Sequence, residues 1–327
     1  MLEHGGRLHR AVREHGIALG DWLDLSTGIS PFGWPVPSIP TDAWRRLPDD
    51  DDGVANAARA CYGAPHVLPV AGSQAAIQAL PLLRTPSRVA VITPGYAEHA
   101  HAWERAGHRI ERRDGAALLA APDDYDVVVL IHPNNPTGQR FEPQRLRELH
   151  ATLAARGGWL IVDEAFMDAT PQDSLCADAA RPGLVVLRSA GKFFGLAGAR
   201  AGFVCAAPEL LEALRERLGP WTLAGPSRHI VGLALADAGW QAQARERLQI
   251  ASERLSVLLR RVGLVPSGGC AFFQWCMHPG AAAIHRALAA KGILTRLFDQ
   301  PPSLRFGLPP DQTASLRLET ALREALR

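Results

Sequence analysis

A single lysine in a glycine-rich turn is the most reactive feature of this chain. Lys192 stands in Arg188-Ser-Ala-Gly-Lys192-Phe-Phe-Gly, after the apolar run 184–187, and Arg200 and Gly202 follow just before the apolar run 203–205. Of the 35 cationic residues only two, Lys192 and Lys291, are lysines; the rest are arginines. An arginine cannot replace this lysine. Guanidinium stays protonated, whereas a desolvated ammonium can shed its proton and attack a carbonyl to form an imine.

The residues that can act with Lys192 follow other apolar runs. Asp163 and Glu164 come after 159–162, Asn135 opens Asn135-Pro-Thr-Gly138 after 127–131, and Tyr96 ends Pro94-Gly95-Tyr96 after 89–92. Gly72-Ser73-Gln74 turns from a short apolar segment into a helical pattern. Such a turn offers N–H donors, a hydroxyl and the positive end of a helix dipole to a phosphate, although by itself it would read as a serine cap. A carbonyl cofactor that joins a lysine, carries a phosphate and has a ring nitrogen in need of an acid partner is pyridoxal 5'-phosphate. In that reading Lys192 is the imine-forming amine, and Asp163 keeps the ring nitrogen protonated so that the ring can accept electrons from a bond at the substrate's Cα. Asn135 donates to the ring oxygen and Tyr96 lies flat on the ring. Gly72, Ser73, Gln74, Ser189 and Arg200 hold the phosphate.

Four strand ends must converge to bring these groups together. Continuous apolar runs alternating with helical patterns from residue 88 onward predict a mostly parallel sheet covered on both faces, and ligands of such sheets sit at the carboxyl ends of the strands. The expected fold class is therefore α/β, a mostly parallel central sheet sandwiched by helices, with a smaller α+β domain built from both termini. Residues 1–40, with prolines at 31, 35, 37 and 40, form an arm belonging to the small domain and active site. Residues 41–218 form the large cofactor-binding domain. Residues 219–327 form the small domain, entered through a long helical stretch from about 227 to 259. Short strands are expected at 264–265, 271–275, 293–296 and 304–307, and a last helix at 311–326.

Composition narrows the function classes. Hydrophobic content of 47% with 21% charged residues describes an ordinary globular protein. A formal charge of +2 spread along the chain supplies neither a basic stripe for nucleic acid nor a polybasic membrane patch. Five cysteines without C-x-x-C spacing suggest neither disulfides nor a metal site. The N-terminus, with Glu3, His4 and Arg7, lacks the apolar region of a signal peptide, and no 18-residue apolar run occurs, so a cytoplasmic location is expected.

Taken together, Asn135-Pro-Thr-Gly138, Asp163-Glu-Ala-Phe166, Ser189-x-x-Lys192 and Arg200-x-Gly202 resemble the class I/II aminotransferase family, the fold-type I pyridoxal phosphate enzymes. The resemblance implies a homodimer with its active site at the subunit interface. His4-Gly5-Gly6, Leu23-Asp-Leu-Ser-Thr-Gly28-Ile-Ser-Pro31, Pro94-Gly-Tyr-Ala-Glu98, Asp163-Glu-Ala-Phe-Met-Asp168 and Leu187-Arg-Ser189 are more narrowly similar to the threonine-phosphate decarboxylases of cobalamin biosynthesis. Those enzymes convert L-threonine O-3-phosphate to (R)-1-aminopropan-2-yl phosphate and carbon dioxide. The resemblance makes Arg305 the clamp for the substrate's carboxylate and sets His4, Gly28 and Arg296 about a small phosphorylated amino acid. Arg305, in Ser303-Leu-Arg-Phe-Gly, is moreover a cation inside a strand, which is costly unless it meets an anion. Two positions depart from the wider family. Phe166 stands where aminotransferases carry a tyrosine, and Leu47, in Arg46-Leu47-Pro48-Asp49, stands where many relatives carry another. An aminotransferase acting on a phosphorylated substrate such as histidinol phosphate shares the same cofactor residues, and a catalytically idle subunit of the pathway is the third reading.

Overall fold

A computed structural model describes residues 4–120 and 122–327; Glu3 lies outside them. Its strands, in chain order, are β1 (Leu23–Asp24), β2 (Val67–Val70), β3 (Arg88–Ile92), β4 (Arg109–Arg113), β5 (Val127–Ile131), β6 (Trp159–Asp163) and β7 (Leu184–Ser189). They continue with β8 (Gly202–Cys205), β9 (Gly268–Cys270), β10 (Phe273–Met277), β11 (Ile293–Leu294), β12 (Arg296–Phe298) and β13 (Ser303–Gly307). The chain divides into two compact units. The larger comprises Gly33–Asn135 and Arg140–Arg245; the smaller comprises Met1–Phe32, Pro136–Gln139 and Glu246–Arg327.

The larger unit is built on a seven-stranded sheet in the order β2-β8-β7-β6-β5-β3-β4. Strands β4, β3, β5, β6 and β7 run parallel, and β8 is antiparallel to both β7 and β2. This is the expected mostly parallel sheet. All residues of β5 and β7 are buried, as strands covered on both faces must be. Each aliphatic side chain so buried contributes about 1.5–3 kcal/mol. The helices show why they form: Pro143–Ala154 starts on a proline and buries Leu146, Leu149, His150 and Leu153, one face at helical spacing.

The smaller unit holds a four-stranded sheet in the order β12-β13-β10-β9 and the parallel pair β1-β11. Asp311 caps the last helix, Gln312–Ala325, by accepting from the N–H of Ala314 at 2.8 Å.

Several boundaries differ from those read off the sequence. The compact units divide at 32/33 and 245/246, not at 40/41 and 218/219. Trp34 explains the first shift: its N–H donates to the carbonyl of Phe194 and its indole N–H to Asp237, both in the larger unit. The second falls inside the helix Ala238–Arg261, where composition does not change. The helical stretch from 227 to 259 is two helices, Gly225–Ala236 and Ala238–Arg261, because Asp237 leaves helical geometry and caps the second through the N–H of Trp240. No strand forms at 264–265, and β9 and β10 make an antiparallel pair instead.

Candidate active site

The carboxyl ends of β3, β5, β6 and β7 gather the expected cofactor residues within the larger unit. Asp163 ends β6, between β5 and β7, in register with Ile131 and Leu187. It is buried, and its carboxylate is not left alone. Oδ2 lies 2.9 Å from Nε2 of His99, and Oδ1 accepts the N–H of Ala165 at 3.0 Å. A carboxylate held in this way inside the protein is a strong partner for a ring N–H. His99 was not singled out from the sequence. It sits three residues after Tyr96 on the helix Ala97–Arg105, one turn along the same face, and that spacing is the signal that could have found it.

Tyr96 caps that helix and stands edge-on to the His99 ring, with centroids 6.1 Å apart. Its hydroxyl donates to Gln74 Oε1 at 3.1 Å, and Gln74 in turn donates to Glu98 at 3.0 Å. Burial, then the charges of Glu98 and Asp163, push the Tyr96 hydroxyl up to about 12 against the opposing pull of Arg200. Gln74, in the first turn of the helix Ser73–Ala79, therefore orients the aromatic ring. Tyr96, Asp163 and Arg200 share one electrostatic neighbourhood.

The turn expected to hold a phosphate is shaped by two glycines. Gly72 has φ +72°, and a Cβ there would come within 2.9 Å of Nη2 of Arg200. A Cβ on Gly202 would stand 2.3 Å from the backbone nitrogen of Ser73. Only glycine lets β8 and the guanidinium lie this close to the first turn of the helix Ser73–Ala79, whose leading N–H groups have no acceptor within the helix. Arg200 itself is exposed and left-handed, at φ 49°, a strained backbone for a residue with a side chain. Ser189 is buried and its hydroxyl oxygen accepts the N–H of Gly191 at 3.2 Å, which leaves its O–H to donate.

Lys192 is half-buried, and its Nζ lies 5.6 Å from the centre of the Phe166 ring. Phe166 lies three residues after Asp163, so the segment that leaves the end of β6 at the carboxylate passes close to the amine. Asn135 is half-buried beyond the end of β5. The amide of its neighbour Asn134 donates to the carbonyl of Pro94 at 2.9 Å, tying this turn to the one that carries Tyr96. These groups fit pyridoxal phosphate: an amine, a buried acid, a flat ring, and a turn that accepts only glycine beside an arginine.

The expected substrate residues lie in the smaller unit. Arg305 is buried on β13. Its Nη2 donates to the carbonyl of Ser26 at 2.7 Å, and its guanidinium carbon lies 5.1 Å from the Phe273 ring centre. Burial first, then the charge of Arg296, pushes the Arg305 guanidinium down to about 10. The two arginines face each other across β12 and β13, and like charges at directly opposite positions repel. Arg296 also lines a cavity of about 320 Å³ with His4, Arg7, Arg10, Ser26 and His285. The Gly5-Gly6 step lets the arm lie on the segment that carries Ser26. A Cβ on Gly5 would come 2.3 Å from the carbonyl oxygen of Ser26, and the N–H of Gly6 donates to Ser26 Oγ at 2.7 Å. Gly28 is buried two residues beyond Ser26 and does not line this cavity. Ser26 accepts from Arg305 and lines the same cavity as His4 and Arg296, and nothing in the sequence marked it beyond its place in the motif.

The family model of aminotransferase class I and II matches residues 54–322. The chain is 58% identical to a threonine-phosphate decarboxylase of Pseudomonas aeruginosa over 98% of its own length and 97% of the relative's. It is 42% identical to a threonine-phosphate decarboxylase of a Sinorhizobium species, again over 98% and 97% of the two chains. In fold it resembles the histidinol-phosphate aminotransferase of Sinorhizobium meliloti crystallised with pyridoxal 5'-phosphate, with a TM-score of 0.87 and 22% identity over 100% of this chain and 95% of that one.

Proposed function

Because this chain belongs to the class I and II aminotransferase family, we propose that it is a pyridoxal phosphate-dependent lyase that decarboxylates L-threonine O-3-phosphate to (R)-1-aminopropan-2-yl phosphate. The observation that carries this choice within the family is the 58% identity to the Pseudomonas aeruginosa decarboxylase along nearly the whole of both chains. Bound pyridoxal phosphate supplies the electron sink for a bond broken at the substrate's α-carbon. The chain's own residues supply the rest.

Lys192 is the amine that holds the cofactor and, once released, returns a proton to the α-carbon. Asp163, fixed by His99 and the N–H of Ala165, keeps a proton on the ring nitrogen. Tyr96 and Asn135 fix the ring, and the turn at Gly72, Ser73 and Gln74 with Ser189 and Arg200 holds its phosphate. Arg305 takes the substrate's carboxylate, and Arg296 and His4, beside the segment that ends at Gly28, take its phosphate. Two facing cations suit a substrate with two anionic groups, since each anion relieves a charge that the other arginine opposes. Orientation then selects the bond that breaks.

The protein acts on a small phosphorylated amino acid as a cytoplasmic homodimer in this reading; among the described residues no helix is long and apolar enough to cross a membrane. Purified protein given pyridoxal phosphate and L-threonine O-3-phosphate should release carbon dioxide with no keto acid present. Product that appears only with 2-oxoglutarate would move the assignment to an aminotransferase. No product with or without an acceptor would favour an idle subunit.

A further inference from the structure

Behind the cofactor residues lies a second set of charges that no step above uses. Arg188, on β7, is 2% exposed; its Nη1 donates to Glu164 Oε2 at 2.8 Å and its Nη2 to Asp168 Oδ1 at 2.7 Å. Glu164 is fully buried and also accepts from the Ser174 hydroxyl and from the N–H of Leu175. Arg245 donates to the backbone carbonyl of Asp168 at 2.8 Å and stands 5.5 Å from the Phe193 ring centre. Two guanidiniums and two carboxylates thus cancel in formal charge.

Three residues of this set adjoin members of the cofactor site in the chain. Glu164 follows Asp163, Arg188 precedes Ser189, and Phe193 follows Lys192. Arg188 and Ser189 are adjacent on one strand, so their side chains leave opposite faces of the sheet and the guanidinium stands behind the site, not in it. The N–H of Glu164 donates to the carbonyl of Leu187, which carries the β6–β7 ladder one step past the strand. From there the loop to Asp168 is gripped at both ends by one guanidinium, and Phe166, beneath the Lys192 amine, lies in the middle of that loop.

Buried ion pairs add little net stability over apolar packing, so their use is more often to specify one arrangement. We propose that Arg188 is a positioning residue: by bridging Glu164 and Asp168 it sets the place of Asp163 and Phe166 relative to Ser189 and Lys192. This rests on the reading of Asp163 and Lys192 as the cofactor pair. Lysine cannot substitute, because one ammonium does not present the planar fork that reaches two carboxylates at once.

The test is Arg188→Lys in the full-length protein loaded with pyridoxal phosphate, compared with wild type. A clamp predicts a folded variant in which the pH titration of the bound cofactor's visible absorbance moves by about half a unit or more. It also predicts kcat lower by about tenfold or more with KM changed little, since small misplacements of reacting groups act on rate. Asp168→Asn, which keeps size and an acceptor oxygen but drops a charge, should shift the same titration in the same direction and serves if Arg188→Lys does not fold. Variants with a lowered melting temperature but wild-type titration and kcat would overturn the clamp alone. A wild-type protein that binds no pyridoxal phosphate would overturn the cofactor reading and the clamp with it.

Discussion

Asp163 and Arg305 are both buried charges, and the protein treats them in opposite ways. The carboxylate has an imidazole and an N–H within hydrogen-bond distance, so its charge is answered before any ligand arrives. The guanidinium meets a carbonyl oxygen and an aromatic face, with a second arginine opposite, and is pushed down to about 10 by burial and by Arg296. For a base lowered in the folded state, the penalty is present at every pH below that value and is relieved only as pH rises through it toward 12.5. At neutral pH Arg305 is therefore held charged at a cost that a carboxylate can relieve. Arg305→Met should leave the melting temperature of the ligand-free protein unchanged or higher, as for other buried charges replaced by apolar groups. The same change should raise KM for L-threonine O-3-phosphate about 10- to 100-fold, the worth of a charge-assisted contact. Melting curves and steady-state kinetics on one preparation read both effects.

Strands and turns set how closely these groups approach. β8 runs antiparallel between β2 and β7, an exception in a mostly parallel sheet, and this brings Gly202 against the turn of Gly72 and Ser73. Gly202→Ala would place a methyl 2.3 Å from the Ser73 nitrogen, so strand and turn must part. The expected cost is about 1–3 kcal/mol of stability with loss of cofactor retention. Gly198→Ala, where nothing lies within 4 Å, should leave both unchanged. Urea melts and fluorescence titration with pyridoxal phosphate separate the two variants. In the smaller unit Gly138 plays a similar part, at φ +73° with a Cβ that would stand 2.0 Å from the carbonyl oxygen of Gly269. The left-handed backbone and the close approach together account for the glycine of the Asn-Pro-Thr-Gly motif.

Across the whole molecule, two properties follow from burial. His132 is fully buried and is pushed down to about 4, chiefly by desolvation and then by Arg140. A histidine lowered in the folded state contributes stability that is present above its unfolded value of 6.5 and is lost as pH falls from there toward 4. The loss amounts to roughly 3 kcal/mol. His132→Gln should flatten the fall in unfolding free energy between pH 7 and pH 4.5, measured by urea titration at each pH. The second property is an exposed apolar face on the larger unit. Trp44 and Leu47 are each 67% exposed and Leu233 is 44% exposed, and the carbonyl of Ala43 packs on Gly225 at the start of the helix that carries Leu233. Such a face suits a second copy of the chain. Leu47→Asp should convert a dimer to monomer in sedimentation equilibrium; a monomeric wild type would remove this reading of the face.

Much of the frame was legible in the chain. Apolar runs placed β5, β6 and β7 to within a residue or two, because apolar spacing follows directly from which faces are buried. The positions of Lys192, Asp163, Asn135 and Tyr96 at or just past strand ends were legible as well, since a parallel sheet gathers its strand ends on one edge. What the chain could not disclose were partners distant in sequence. The bond of His99 to Asp163, the grip of Arg188 on Glu164 and Asp168, and the meeting of Arg305 with Ser26 span 64, 24, 20 and 279 positions respectively. Such pairs depend on strand order and register, which are set when the sheet assembles and not by local sequence. The unit boundaries were hidden for the same reason: one falls within a continuous helix, and the other depends on hydrogen bonds from Trp34 to residues 160 or more positions further on.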